Sequence, residues 1–150
     1  MAGIPIRSSA FNDHDLMPQR FSMDGGNISP PLEWSDVPES ASELVLLVED
    51  RDAGPTPFLH WLVTGIDPGT TGVAEGQTPA GGQEWINGFG SAGWGGPRPP
   101  INDDPHRFFF RIFAVDQPLE LPATPQVPDI RKAIAGHELT SGNMVGTFAR

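Results

Sequence analysis

Glycine and proline are frequent along the whole chain, and this feature constrains the fold more than any other. Of the 150 residues, 18 are glycine and 17 are proline. Proline lacks the amide hydrogen that a helix interior needs, and glycine is unfavourable there by about 1 kcal/mol relative to alanine. The glycines and prolines cluster between short apolar runs, where they mark turns. We therefore expect a loop-rich β protein that forms one domain over residues 1–150.

Four apolar runs predict β-strands, at 43–50, 58–66, 107–115 and 144–150. The first three are apolar at odd and even positions alike, which is typical of strands buried on both sides. Residues 127–135 predict a helix, with Pro128 in its first turn and Gly136 at its end. The segment 67–106 is mostly turns, which favours functional loops. Together these elements predict an antiparallel sandwich or a barrel-like β fold.

Charge and cysteine content exclude several classes of protein. Lysine and arginine total 9 against 19 acidic residues, and the resulting net charge of -10 would repel nucleic acid. The absence of cysteine excludes disulfides, zinc fingers and thiol catalysis. The opening MAGIPIRSSAFNDHD lacks the apolar region of a signal peptide, and no run approaches the roughly 20 apolar residues that cross a bilayer. We expect a cytoplasmic protein without membrane insertion.

Alternation along the predicted strands places three ionisable residues on apolar faces. His60 lies within FLHWLV and shares its parity with Phe58 and Leu62. Asp50 ends the first predicted strand, and His106 immediately precedes the third. Antiparallel pairing of these two strands would bring Asp50 and His106 to the same rim of a sheet.

Such a rim predicts a pocket for an anion. A carboxylate that accepts from one imidazole nitrogen fixes the tautomer and leaves the other nitrogen aimed into the pocket. Backbone N–H groups from the glycine-rich loop GWGGP, residues 93–97, would complete a site for phosphate. Of the four tryptophans, only Trp94 lies in this loop, so we expect it beside the ligand.

Each of these residues also has a purely structural interpretation. His60 fits a core histidine bonded to backbone equally well, and Asp50 and Asp52 fit turn residues that bond nearby N–H groups. The acidic pair 103–104 fits a solvated turn. The Asp and His side chains also fit acid–base or metal catalysis, although no G-x-S-x-G, H-E-x-x-H or Walker motif accompanies them.

Four stretches together resemble the phosphatidylethanolamine-binding protein family, in particular its bacterial and archaeal Raf-kinase-inhibitor-like members. They occur in the family's order and span nearly the whole chain. The stretches are SPPLEWSDVP (29–38), ELVLLVEDRDA (43–53) with PFLHWLV following, GWGGPRPP leading to DPHRFFFRIFAVD (93–116), and AIAGHELTSGNMVGTFAR (133–150). The resemblance implies a mostly β fold, an antiparallel two-sheet β-sandwich with one or two short helices.

The resemblance also implies a small anion-binding cavity at one end of the sandwich, which in the family receives the phosphate of a phospholipid headgroup. Carried over by position, the residues that match the family's site are Asp50, Asp52, His60, Gly96, Pro97, His106 and Arg107. Two departures stand out: Arg51 replaces the usual proline between the acids, and Phe108 replaces a frequent tyrosine whose hydroxyl donates to the ligand. The missing hydrogen bond is worth about 0.5–1.5 kcal/mol net. Arg51 or Arg98 at the cavity mouth would compensate.

These observations predict a non-enzymatic protein that binds a small anion, such as phosphate or a phospholipid headgroup, without a cofactor or a metal. The resemblance further implies a kinase or a protease as partner, since the Raf-kinase-inhibitor-like name refers to kinase inhibition and other members are described as protease inhibitors, and a homodimer stays an open alternative. The competing hypothesis is a hydrolase or metal-dependent enzyme that uses the cluster of Asp50, Asp52, His60 and His106.

Overall fold

The computed structural model describes residues 3–150, so the first two residues of the predicted domain lie outside it. Its strands form two antiparallel sheets, which confirms the predicted mostly β class. The smaller sheet has the order β1-β2-β5 and comprises Ile6–Arg7, Leu32–Trp34 and Gly72–Val73. The larger sheet has the order β6-β4-β3-β7-β8 and comprises Gln83–Glu84, Phe58–Ile66, Glu43–Asp50, His106–Val115 and Glu138–Phe148.

The large sheet has an apolar layer on each face, which explains why its central strands are apolar at consecutive positions. All eight residues of β3 are buried. One face packs with the small sheet around Trp34, Trp61 and Phe110. The other face packs against helix α1, Val127–Ile134, through residues such as Leu47 and Ile130. Two-sided burial is thus correct for β3.

Strand β7 departs from that prediction on one face. Arg107 is exposed, and Phe109 and Arg111 are half-buried. These residues point to the same side as α1, but the helix has only eight residues and covers part of that side. The even-numbered residues of β7 are buried, so this strand has one fully covered face.

Most predicted boundaries agree with the structure. The strands at 43–50 and 58–66 match, the third begins one position earlier at His106, and α1 ends at Ile134. Gly136 follows the helix with a φ of +82°, a conformation that favours glycine at a helix end. The last strand begins at Glu138, well before residue 144, because its first half carries polar residues and Gly142. A 3-10 turn at Gln19–Phe21 was not predicted.

The pairing of β3 with β4 contains a bulge, and the residue it skips is His60. Val48 lies opposite Trp61, whereas the next residue of β3, Glu49, lies opposite Leu59. A bulge adds one residue to a strand and re-aims the side chains around it. This bulge changes the face to which residues on either side of His60 point.

Within residues 3–150 we find no helix with the length and apolar character required to cross a membrane.

Candidate functional site

A small cavity lies where β3 ends and β7 begins. Its volume is about 110 Å³, and its walls include the ionisable side chains Asp50, His60, Arg98 and His106. The rings of Phe58 and Phe89 supply apolar wall, and Pro99 and Pro100 continue the loop that carries Arg98. Residues from distant parts of the chain therefore converge here.

Asp50 and His106 form a buried pair at the rim of the large sheet. Antiparallel pairing places Asp50 opposite Phe108, two residues into β7, which brings His106 to the end of β3. The Asp50 Oδ2 atom lies 2.7 Å from His106 Nδ1. The Asp50 Oδ1 atom accepts the backbone N–H of Asp52 at 2.8 Å, so one carboxylate orders both the turn and the imidazole. The two strand ends meet as predicted.

The second ring nitrogen of His106 also faces a carboxylate. Its Nε2 atom lies 3.0 Å from Asp103 Oδ2. Burial lowers the pKa of His106, but hydrogen bonds with Asp50 and Asp103 outweigh that effect, and the pKa is raised above its usual value. Only an imidazolium can donate to both carboxylates, so the geometry favours the charged ring.

This arrangement corrects one expectation, because the free nitrogen expected on His106 is occupied by Asp103. Residues 103–104 are exposed and follow a turn, in agreement with their interpretation as a solvated turn, but Asp103 also contacts the candidate site. The sequence contains one indication of this contact, the position of Asp103 three residues before His106. This indication is weak, because the conformation of the intervening loop determines where the Asp103 side chain points.

His60 is held by backbone rather than by a carboxylate. Its Nδ1 atom donates to the carbonyl of Gly95 at 2.6 Å. Burial lowers the pKa of His60, so the ring is neutral and Nε2 is its acceptor. The structural interpretation of a backbone-bonded histidine is therefore correct, yet the same ring lines the cavity. The expected parity with Leu62 is wrong, because the bulge turns Leu62 toward the helix-covered face.

Phe108 lies in contact with both histidines. It is 1% exposed, and its ring centroid lies 5.1 Å from that of His60 and 6.5 Å from that of His106. The centroids of Phe58 and Phe89 lie 5.1 Å and 5.5 Å from that of His60. Aromatic rings therefore surround His60, whose pKa is lowered, while His106, whose pKa is raised, lies between two carboxylates.

Asp52 and Arg107 form a separate pair outside the cavity wall. Asp52 accepts the backbone N–H of Arg107 at 2.8 Å and its guanidinium at 3.0 and 2.8 Å. The hydrogen bond from Arg107 lowers the pKa of the Asp52 carboxyl. Arg51 lies on the helix-covered face, where its Nε donates to Glu49 at 2.7 Å. Of the two arginines proposed for the mouth, Arg98 is the one that lines the cavity.

Three further predicted ligand residues tie the loop to the body of the protein and do not line the cavity. The Trp94 indole donates to the Phe21 carbonyl at 3.1 Å and packs in the core between the two sheets. The N–H of Gly96 donates to Asn27 Oδ1 at 2.7 Å, and the Pro97 carbonyl accepts a backbone N–H at 3.1 Å. These bonds position the loop that delivers Gly95 to His60.

A larger depression of about 430 Å³ lies between β4 and the start of α1. Its lining residues, from Ala53 to Val127, include no titratable side chain. The smaller cavity is therefore the better candidate, since a site needs polar groups that converge on a ligand.

Comparison with known proteins finds a matching family model and similar relatives. The chain matches the family model described as phosphatidylethanolamine-binding protein over residues 7–149. A UPF0098 protein of Methanothermobacter thermautotrophicus is 37% identical over 150 residues, covering 97% of this chain and 98% of the relative. LppC of Mycobacterium tuberculosis, which carries the name of a lipoprotein, is 40% identical over 145 residues, covering 97% of this chain and 72% of the relative.

Solved structures show the same architecture. The phosphatidylethanolamine-binding protein homolog CT736 of Chlamydia trachomatis superposes with a TM-score of 0.86 at 32% identity, covering 99% of this chain and 98% of its own. Escherichia coli YbcL superposes with a TM-score of 0.88 at 25% identity, covering 99% of both chains. The chain is therefore a member of the phosphatidylethanolamine-binding protein family.

Proposed function

We propose that this protein binds a small anion, such as a phosphate group or a carboxylate, in the cavity beside His106. One observation carries the proposal: the His106 imidazole, bonded through Nδ1 to the buried Asp50, lines the same small cavity as Arg98, whose half-exposed side chain also lies 3.6 Å from Asp24. In a protein of net charge -10, an anion can be held only where donors are locally concentrated. His106 and Arg98 supply that concentration.

The size of the cavity supports a small ligand or a small part of a larger one. Its volume of about 110 Å³ is well below the roughly 300–1,000 Å³ of pockets that enclose drug-sized molecules. The aromatic walls at Phe58 and Phe89 suit a carbon attached to the anionic group. A phospholipid headgroup, an organic phosphate and free phosphate share this chemistry.

We propose further that the protein acts without catalysis and without a cofactor. Both nitrogens of His106 face carboxylates, so this ring has no free nitrogen for proton transfer to a ligand. His60 is bonded through Nδ1 to backbone, and its Nε2 is an acceptor toward a ligand. Among the described residues, no three His, Asp or Glu side chains are arranged to hold a metal ion. Metal analysis of the purified protein tests the competing enzyme hypothesis, which a stoichiometric transition metal would support.

Location and protein partners stay predictions. We propose the cytoplasm, and fractionation of native cells tests this, with recovery in the membrane fraction as the contrary result. Regulation of a kinase or a protease is tested by pull-down from native lysate, comparing the wild type with a variant that carries both His60→Ala and His106→Ala.

Isothermal titration with inorganic phosphate, acetate and phosphoethanolamine at about pH 6 and about pH 8 tests the anion site. We expect binding that weakens as the pH rises through the raised pKa of His106, since the ring loses its charge. Acetate separates this effect from ionisation of the ligand, because acetate does not titrate in this range.

Two variants and a control sharpen the test. Arg98→Gln and His106→Gln should each weaken binding about tenfold, since each removes a charged donor. His137→Gln is the control, because His137 pairs with Asp116 and does not line the cavity. Absence of binding to the wild type at both pH values, or equal loss in the control, would refute the proposal.

A further inference from the structure

Asp103 stands between the candidate site and solvent on the loop that leads into β7. The side chain of Asp103 is 48% exposed, whereas that of His106, its partner, is 7% exposed. The preceding residue, Asn102, has a φ of +73°, a left-handed conformation that turns the loop. The loop thus places a half-exposed carboxylate on a buried imidazole.

The two carboxylates that contact His106 have different roles. Asp50 is 5% exposed and also bonds the N–H of Asp52, so it belongs to the framework of the sheet. Asp103 makes its contact from the solvent side and is three residues from His106 along the chain. Asp103 can therefore leave the ring without disturbing a strand.

We propose that the Asp103 carboxylate is a built-in competitor that occupies the anion position on His106 Nε2. An incoming anion that uses this nitrogen displaces Asp103 and then faces its negative charge nearby. The loop carboxylate accordingly lowers the affinity of the cavity and selects for anions that bind strongly enough to displace it. This inference rests on the proposed anion-binding function and adds the group that regulates it.

The cost of displacement is small because Asp103 is half exposed. Solvent screens the half-exposed carboxylate in this contact, and once displaced the carboxylate is resolvated while the incoming anion takes its place on the buried ring. The contact is therefore strong enough to compete with a weakly held anion and weak enough to yield to one that also engages Arg98. A buried partner such as Asp50 would exclude the ligand permanently.

Titration of inorganic phosphate into the wild type, Asp103→Ala and Asp104→Ala at about pH 6 tests the proposal. Asp104 is the matched control, because it is the next residue, is exposed and carries the same charge. We expect Asp103→Ala to bind phosphate about tenfold more tightly, since phosphate then displaces no carboxylate and meets no like charge nearby, and each effect changes affinity by up to about fivefold. Asp104→Ala should stay within about twofold of the wild type.

The outcomes separate the two levels of the proposal. Phosphate binding that is equal in the wild type and Asp103→Ala, or enhanced equally by both substitutions, overturns the competitor role and leaves the anion site standing. Absence of phosphate binding in all three proteins, with unchanged melting temperatures, overturns the anion site and the competitor role together. Phosphate binding that is present in the wild type, tighter in Asp103→Ala and unchanged in Asp104→Ala supports both.

Discussion

Replacement of Asp50 by asparagine probes the pair on which the site is built. The asparagine side chain would retain an oxygen for the N–H of Asp52, but its amide would meet the Nδ1–H of His106, so that two donors face each other. Breaking a buried ion pair by removing one partner costs about 3–5 kcal/mol, and one hydrogen bond to a charged group is worth about 1.5–3 kcal/mol. Because Asp103 still contacts the ring, we expect a loss of about 2–3 kcal/mol in unfolding free energy.

The loss should depend on pH, with a sign fixed by His106. Its folded-state pKa is raised above the ordinary value of about 6.5, so its contribution to stability is complete below that value and is lost as the pH rises through the folded-state pKa. The difference between wild type and Asp50→Asn should therefore be largest near about pH 6. It should shrink near about pH 9, where a neutral ring can accept from the new amide.

Urea unfolding followed by the fluorescence of the four tryptophans measures both effects. Asp67→Asn is the matched control, because Asp67 accepts the N–H of Gly69 at 2.8 Å in the same two-residue turn without a histidine. We expect the control to change stability by less than about 0.5 kcal/mol. A loss in Asp50→Asn that is independent of pH, or no larger than that of the control, would contradict the reasoning.

Three further perturbations test the fold around the site. Phe110→Ala removes a ring that is 0% exposed in the core between the sheets and should cost about 3–5 kcal/mol in urea unfolding, with a smaller loss arguing against that packing. Gly142→Ala would drive a methyl group into the carbonyl of Ile4, so the variant should be recovered unfolded or with a strongly lowered melting temperature, and a normal melting curve would contradict the contact. Arg107→Gln should cost at most about 1 kcal/mol, because the pair with Asp52 is largely exposed, while NMR titration should show the lowered carboxyl pKa of Asp52 returning toward its usual value. An unchanged pKa would exclude the guanidinium as its cause.

The pattern of apolar residues in the sequence was sufficient to predict the strands that are buried on both faces. The boundaries of β3 and β4 follow from consecutive apolar residues, and the helix from its spacing and Gly136. The two-residue strands of the small sheet and β6 carry no such pattern, since pairing with a neighbour defines them. The start of β8 was missed for a related reason, because its partner β7 holds polar residues in register.

The site was predictable as far as strand alternation continues unbroken. Asp50 and His106 meet because their strands pair in a regular register. The position of His60 was not predictable in this way, because a bulge breaks the alternation and no residue type in FLHWLV indicates where the extra residue lies. Asp103 is different again, because a left-handed Asn102 within a loop decides the direction of its carboxylate. The bulge at His60 and the direction of the Asp103 carboxylate both depend on tertiary structure, which the alternation of apolar residues in the sequence does not predict.

Alternation also explains why motif residues adjacent in sequence act on opposite sides of the sheet. His106 points to the cavity, and Arg107 points away from it to Asp52. Asp52 accepts the N–H of Arg107, and the N–H of Arg51 donates to the Arg107 carbonyl at 3.3 Å, so pairing between β3 and β7 continues past Asp50 into the turn. This clamp fixes where β7 begins, and thereby where the imidazole lies. Asp50 and His106 are therefore the pair that faces the cavity, and Asp52 and Arg107 are the pair that positions the start of β7.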